Sequence, residues 1–281
     1  MKTVEKRRMC PNCRAFITIK DRVCPYCGVQ LGPRAIDMRA TRFTSSLLPR
    51  VNLTGGIFIT INIVFFLIEL AVNYSVFHAS PLKLSPYVPL LLGDENPQLI
   101  AQFHQWWRLI TAGFLHAGFL HIGFNMWALF DLAGEVEQFY GTSRLIVTYI
   151  FSTFLGFLFA LYFSGAGALG ASAACFGLIG IMLAMGLRRR SDPISQAVRS
   201  FYTRWLIYGI ALSFLPGISL AAHLGGLAGG FVIGLLGGLP GVPNSPREVL
   251  WKVLAALAII VTVYAFLQDF ASYRMLIQQI R

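Results

Sequence analysis

Charge is what this chain has least of. Asp, Glu, Lys and Arg make up 12% of its 281 residues, against roughly 25% in soluble domains. With 56% hydrophobic residues and a mean hydropathy of +0.65, that shortage excludes an ordinary water-soluble enzyme. Acid is scarcest: 12 Asp and Glu face 23 Lys and Arg, giving a formal net charge of +11 and a pI near 9.8. Such a surplus raises the question of nucleic acid, so the position of the charge decides its meaning.

Eleven of the basic residues fall within the first 50, against only Glu5, Asp21 and Asp37. Beyond them the chain becomes seven long apolar runs, at 53–75, 116–138, 145–164, 172–187, 200–217, 221–239 and 250–270. Each compares with the roughly 20 residues that cross a bilayer. No apolar run precedes residue 50, so a cleavable signal peptide is not expected and the first span serves as its own insertion signal. With the N-terminus cytoplasmic, nineteen basic residues lie inside, including Arg144, Arg188 to Arg190, Arg199, Arg204, Arg247 and Lys252. Lys83, Arg108, Arg274 and Arg281 lie outside. The positive-inside rule therefore predicts a multi-pass protein of a bacterial-type plasma membrane, N-terminus cytoplasmic and C-terminus outside. Topology and attraction to anionic headgroups account for the surplus, and no nucleic acid partner is expected.

Cysteine is rare outside one short segment. Four of the five cysteines form Cys10-Pro-Asn-Cys13 and Cys24-Pro-Tyr-Cys27, two knuckles whose turns bring paired thiolates onto one face and together predict a tetrahedral zinc site. So short a segment buries too little to fold unaided, so the metal supplies the folding free energy. Disulfides or a redox pair are the rival readings, and the basic flank, which argues for a reducing cytosol, disfavours both. Four ligands leave no open position, so the zinc is structural and catalysis is expected to need no cofactor.

Polar residues inside apolar runs are costly and therefore informative. His121 and Asn125, four apart, share a helix face, which suits either interhelical hydrogen bonding or donation to a common point. Gly170-Ala171-Ser172 follows a Gly-rich run and starts an apolar helix, an arrangement for a nucleophile or simply an N-cap. His223 ends a face of glycines at four-residue spacing that permits close helix contact. The predicted topology sends the second, fourth and sixth spans in the same direction, with His121 about 7 Å below His116 at 1.5 Å per residue. Ser172, His223 and His121 then share one depth. A serine near a histidine supplies nucleophile and general base, while His121 and Asn125 suit an oxyanion. Asp131, Glu135 and Glu137, toward the other end of the second span, read as capping or pairing groups. Cys175 reads as a buried apolar thiol. The tryptophan pair and prolines of 76–110 read as an interfacial loop.

Over about residues 50 to 240 the chain resembles the rhomboid family of intramembrane serine proteases. The resemblance rests on Trp107-Arg108, His116, His121-x-x-x-Asn125, Gly134-x-x-Glu137, Gly170-x-Ser172 and Ala222-His223-Leu224-Gly225-Gly226. It implies a six-helix core with a Ser172/His223 dyad and no carboxylate third member, acting on transmembrane protein substrates within or next to a membrane helix. Ser172 is then the nucleophile and His223 the general base and acid; His121, Asn125 and the Ser172 N–H hold the oxyanion. Gly170 and His116 support the site. Phe176 corresponds to an aromatic packed on the dyad histidine, or is a plain core residue. Where the family usually has Gly after the nucleophile, this chain has Ala173, whose methyl either crowds the helix junction or is absorbed by Gly177 and Gly180.

The expected architecture is an all-α polytopic membrane protein. A zinc-ribbon-like module occupies 1–34 and a basic linker 35–50. The six-helix core is 51–240, and 241–281 holds a loop, a seventh transmembrane helix and a tail. The function it implies is a serine endopeptidase. A client-binding protein without protease activity is the alternative, favoured if Ala173 disables the site. A transporter would want its polar residues at mid-depth instead.

Overall fold

The computed structural model describes residues 7–10, 12–18, 21, 23–29, 53–188, 193–242 and 244–280. It divides into two compact units, Met1–Arg50 and Val51–Arg281. The linker expected at 35–50, the remainder of 1–34, Arg189, Arg190 and Arg281 lie outside the described residues.

In the first unit, strands β1 (Arg7–Met9) and β2 (Phe16–Thr18) pair antiparallel, Met9 opposite Phe16. Cys10, Ile17 and Cys24 form its small buried core. Each knuckle closes with a backbone bond, Arg14 N–H to the Cys10 carbonyl at 3.0 Å and Gly28 N–H to that of Cys24 at 2.9 Å. Arg14 and Gly28 both have positive φ.

The second unit is all helical apart from one isolated bridge between Glu95 and Ala168. It begins with α1 (Leu53–Phe77) and continues through three short helices, α2 (Tyr87–Leu91), α3 (Pro97–Phe103) and α4 (Arg108–Thr111), with a 3₁₀ turn at Ala112–Phe114. The long helices α5 (Phe119–Phe163), α6 (Ser172–Arg188), α7 (Pro193–Leu212), α8 (Leu220–Gly237) and α9 (Pro246–Ile280) follow. Helix α5 has 45 residues, about twice a bilayer crossing. Gly141, at φ 79 and ψ 165, breaks it into two antiparallel-capable halves, corresponding to the second and third runs. Among the described residues four helices, α1, α5, α8 and α9, are long and apolar enough to cross a membrane, and α6 is a shorter apolar helix. Large apolar side chains point outward on these helices: Leu67, Phe124, Phe130, Leu236 and Ile260 are all exposed. That exterior suits hydrocarbon rather than water. The chain is a multi-pass integral membrane protein.

Helix α6 is the axis of the core, with Ala173 through Met182 buried without interruption. Helix α8 lies along it through glycines. A methyl on Gly234 would meet Ala184 Cβ at 2.6 Å, while methyls on Gly226 and Gly230 would run into the backbones of Ala173 and Gly177. Helix α9 docks at the far end, where Arg144 of α5, 2% exposed, makes a two-pronged ion pair with Glu248 at 2.7 and 2.8 Å. Arg144 also covers the Trp251 ring at 5.0 Å. Arg144, one of the basic residues expected on the inner side, is thus buried and paired.

Several boundaries differ from expectation, and α9 runs Pro246–Ile280 rather than 250–270. Residues 116–118 are a turn, not the start of a span, because Gly118 adopts φ 155 and the helix begins at Phe119. Helix α7 runs Pro193–Leu212 rather than 200–217. The residue before Pro216 is disfavoured in a helix and Gly217 has φ 81, so the chain turns there.

Candidate active site

Ser172 is the first residue of α6 and His223 lies in the first turn of α8. Because the small residues bring these helices backbone to backbone, His223 Nε2 comes within 2.8 Å of Ser172 Oγ. The other face of the ring is set by Phe176, one turn along α6, stacked at 4.2 Å with an interplanar angle of 13°. Ser219 caps α8, accepting from the Ala222 N–H at 3.2 Å, so the helix start that carries His223 is fixed locally.

The loop before Ser172 is held from two sides. Glu95 and Ala168 exchange backbone bonds of 3.0 and 3.1 Å, and the Ala168 N–H is also 3.0 Å from Glu95 Oε2. Gly170 N–H bonds the Ala112 carbonyl at 2.9 Å. Gly170 has φ 121, and a methyl there would lie 2.7 Å from His121 Nε2 and 3.6 Å from Asn125 Nδ2. Glycine is thus required both by the backbone and by the approach of these two side chains. Their nitrogens flank the backbone just ahead of Ser172. His121 Nδ1 accepts from the Ala117 N–H at 3.2 Å, which leaves the ring proton on Nε2, the nitrogen nearest Gly170. Asn125 commits one amide proton to the His121 carbonyl at 2.9 Å and retains another. A cavity of about 160 Å³ joins His121, Asn125, Ser172, Phe176 and His223.

Among the described residues neither ring nitrogen of His116 has a hydrogen-bond partner, so His116 is bonded to neither Ser172 nor His223. It sits in the turn ahead of α5, fully buried, its ring 5.1 Å from that of His121 and tilted by 65°. Its N–H donates to the Glu69 carboxylate of α1 at 3.0 and 3.2 Å. It therefore backs His121 from behind, and its place one turn above His121 on a common helix is corrected. Cys175 is buried, with Sγ 4.0 Å from the Asn125 carbonyl. The three acidic residues of α5 are engaged: Trp205 donates to Asp131 at 3.1 Å, Tyr202 to Glu135 at 3.3 Å, and Thr142 and Thr54 donate to Glu137. Ala173 fits because Gly156 of α5 faces its methyl. The relief comes from α5, whereas Gly177 and Gly180 are occupied by contacts to Ser152 and α8.

Arg108 organises the segment between α1 and α5. Fully buried, it donates to Asp94 Oδ1 at 3.1 Å, to the Asp94 and Leu90 carbonyls at 3.0 Å and to Gln105 at 2.6 Å. Burial pushes Asp94 up to about 6 despite the adjacent guanidinium, and pushes Glu95 up to about 8. Residues the sequence reading did not single out are Glu69, Glu95 and Ser213, whose Oγ lies 2.6 Å from His223 Nδ1. None belongs to a motif; only the cost of a carboxylate inside an apolar run marked Glu69.

The four knuckle sulfurs lie within 4.8 Å of one another, with Cys10 to Cys27 and Cys13 to Cys24 both 3.7 Å. That is no disulfide distance. It matches the edge, about 3.8 Å, of a tetrahedron of sulfurs about 2.3 Å from one ion. The Cys13 and Val29 N–H groups lower the Cys10 and Cys27 thiols, Cys27 to about 6, which favours the thiolate form that binds metal at those two positions, while burial and the crowding of the other sulfurs raise Cys13 to about 12.

Comparison with known proteins places this geometry in context. The family model described as the Rhomboid domain matches residues 103–239. Rhomboid protease GluP of Bacillus subtilis (strain 168) is 33% identical over 171 residues, 59% of this chain and 33% of its own length. YdcA of the same organism is 36% identical over 135 residues, 47% of this chain and 67% of its own. Rhomboid protease GlpG of Yersinia pestis (strain Pestoides F) is 35% identical over 156 residues, 54% of each. The match thus spans only a third of GluP and about half of GlpG.

Proposed function

The chain belongs to the rhomboid family, and on that premise we propose that it is an intramembrane serine endopeptidase cleaving transmembrane or juxtamembrane segments of membrane proteins. The observation that carries this reading is the 2.8 Å contact between Ser172 Oγ and His223 Nε2 at a cavity walled by two further side-chain donors. Ser172 Oγ attacks the scissile carbonyl as its proton passes to His223 Nε2. The resulting oxyanion accepts from His121 Nε2–H, Asn125 Nδ2–H and the Ser172 N–H, which lies in the first turn of α6 and has no intrahelical acceptor. His223 then returns the proton to the leaving amine, and a water repeats the sequence on the acyl-enzyme. Phe176 keeps the imidazole in plane during both transfers.

A client-binding protein without hydrolysis is the alternative if Ala173 disables the site; the space that Gly156 leaves for that methyl supports the protease reading. In the four-cysteine module Cys10, Cys13, Cys24 and Cys27 are proposed to hold one structural zinc. The charge distribution favours a cytoplasmic N-terminus and an external C-terminus in a plasma membrane of bacterial type.

Co-expression with transmembrane-helix reporters tests the reading. Cleavage by the natural sequence and its loss in both Ser172→Ala and His223→Ala is the expected result. Cleavage that persists in Ser172→Ala refutes the assigned nucleophile.

A further inference from the structure

Ser213 follows the last turn of α7 and is 3% exposed. Its Oγ has two neighbours, His223 Nδ1 at 2.6 Å and the Gly209 carbonyl oxygen at 2.7 Å. A hydroxyl gives one proton. A carbonyl gives none, so a Ser213 proton turned toward Nδ1 would leave two lone-pair-bearing oxygens facing each other at 2.7 Å. The proton therefore lies toward Gly209, in the bond back to the preceding turn that helical serines commonly make. Ser213 Oγ is then the acceptor of an Nδ1–H, and His223 Nε2 is left with the lone pair that faces Ser172.

We propose that Ser213 is the positioning residue of the dyad: an uncharged third member that holds His223 in the tautomer able to take the Ser172 proton. The proposal rests on the reading of Ser172 and His223 as nucleophile and base. No carboxylate occupies this place among the described hydrogen bonds of His223; its two ring nitrogens meet Ser172 and Ser213.

Gly209 serves the same end twice. Its carbonyl takes the Ser213 proton, and its missing side chain admits the ring of Phe176, since a methyl there would lie 2.6 Å from Phe176 Cζ. The imidazole is thus clamped on its face by Phe176 and on its edge by Ser213. When the proton moves from Ser172 Oγ to Nε2, the imidazolium keeps Nδ1–H bonded to Ser213 Oγ, whose own O–H goes on donating to the Gly209 carbonyl. When Nε2 gives its proton to the leaving amine, the starting tautomer is restored. The chain conserves protons at every step and needs no other group.

A neutral acceptor holds a tautomer less firmly than the buried aspartate of a charged triad, whose replacement costs about 10⁴-fold. A single neutral hydrogen bond corresponds to about tenfold. The test uses the full chain in detergent, with ¹⁵N-labelled histidine and the His223 signals assigned by their loss in His223→Asn. The natural sequence is expected to show Nδ1 protonated and Nε2 bare. Ser213→Ala is expected to show a mixed or reversed tautomer, with kcat about tenfold lower and KM unchanged. Ser213→Thr, which keeps the hydroxyl, restores both. A Ser213→Ala protein with the original tautomer, or with undiminished kcat, overturns the proposal. If the natural sequence cleaves no reporter yet its Nδ1–H tautomer is lost in Ser213→Ala, Ser213 keeps its assignment and the protease reading fails instead.

Discussion

Replacing Gly170 by alanine probes the site at a single atom. The new methyl would lie 2.7 Å from His121 Nε2 and 2.8 Å from Cε1, where ordinary contact is about 3.5 Å. Two separable costs follow. The backbone at φ 121 is one that non-glycine residues hold at about 1–3 kcal/mol, a loss of stability. The collision drives the imidazole back by about 0.8 Å, and displacements of that scale cost about 100-fold in rate, within the 10²–10³ lost when one oxyanion donor is removed. Gly165 supplies the control. It lies in the same loop at φ 66 with nothing within 4 Å of the added carbon, so Gly165→Ala carries strain of about 1–2 kcal/mol and no collision. Both variants are purified in detergent, their thermal unfolding is recorded, and kcat and KM are measured on a transmembrane-helix reporter. We expect both to lose stability and Gly170→Ala alone to lose about 100-fold in kcat. A Gly170→Ala enzyme within about threefold of Gly165→Ala, less than the contribution of one hydrogen bond, would refute the placement of His121 at the reacting centre.

Three further outcomes are expected. Ala173→Gly removes a buried methyl facing Gly156 and should lower unfolding free energy by about 1–2 kcal/mol while leaving kcat within a few-fold; a large gain in kcat would mean that Ala173 hinders the site. Burial raises Glu95 from 4.5 to about 8, so between those pH values the folded chain holds a proton that the unfolded chain has released, and stability falls as pH rises. Asp94, raised to about 6, adds in the same direction over a narrower window. Glu95→Gln keeps an acceptor for the Ala168 N–H and should flatten the melting-temperature profile up to about pH 8; an unchanged profile refutes the assignment. Elemental analysis of the full chain should find one zinc, lost in Cys10→Ser/Cys24→Ser with no change in the thermal transition of Val51–Arg281, since that segment is its own compact unit.

The parts of the molecule legible in the sequence are those where one physical demand dominates. Apolar runs of bilayer length became helices, and paired knuckles became a sulfur cluster of tetrahedral dimensions, because the chain has no other way to satisfy its backbone in lipid or to fold so small a segment. Ser172 and His223, the pair proposed as the dyad, stood out in the sequence through their glycine settings. The segment between α1 and α5 was not: α2, α3 and α4 have 5, 7 and 4 residues, too short to persist alone, and Arg108 of α4 ties the segment together by bonding the carbonyls of Leu90 and Asp94 and the Gln105 side chain. Ser213 was invisible for a related reason. Ten residues from His223 and bonded to its own helix, it has the local appearance of a helix-end serine, and only the turn at Pro216 and Gly217 brings its oxygen back to Nδ1.

The same contrast explains why the proposed dyad is built on α6 and α8. In lipid, helices gain little from burying apolar surface against each other, so a catalytic distance set by long interdigitating side chains would shift with their rotamers. Here Gly226 and Gly230 rest on the backbones of Ala173 and Gly177, which have no rotamers to change. Gly226 is one turn from His223, and Ala173 adjoins Ser172, so the 2.8 Å contact is fixed by backbone against backbone within a single helical turn. Ser213 comes from α7, which meets its neighbours through side chains such as Trp205 on Asp131 and Tyr202 on Glu135. Displacing α7 would thus release the Nδ1 partner while leaving nucleophile and base in place, which makes the tautomer, and not the dyad distance, the property of the site most exposed to movement of a neighbouring helix.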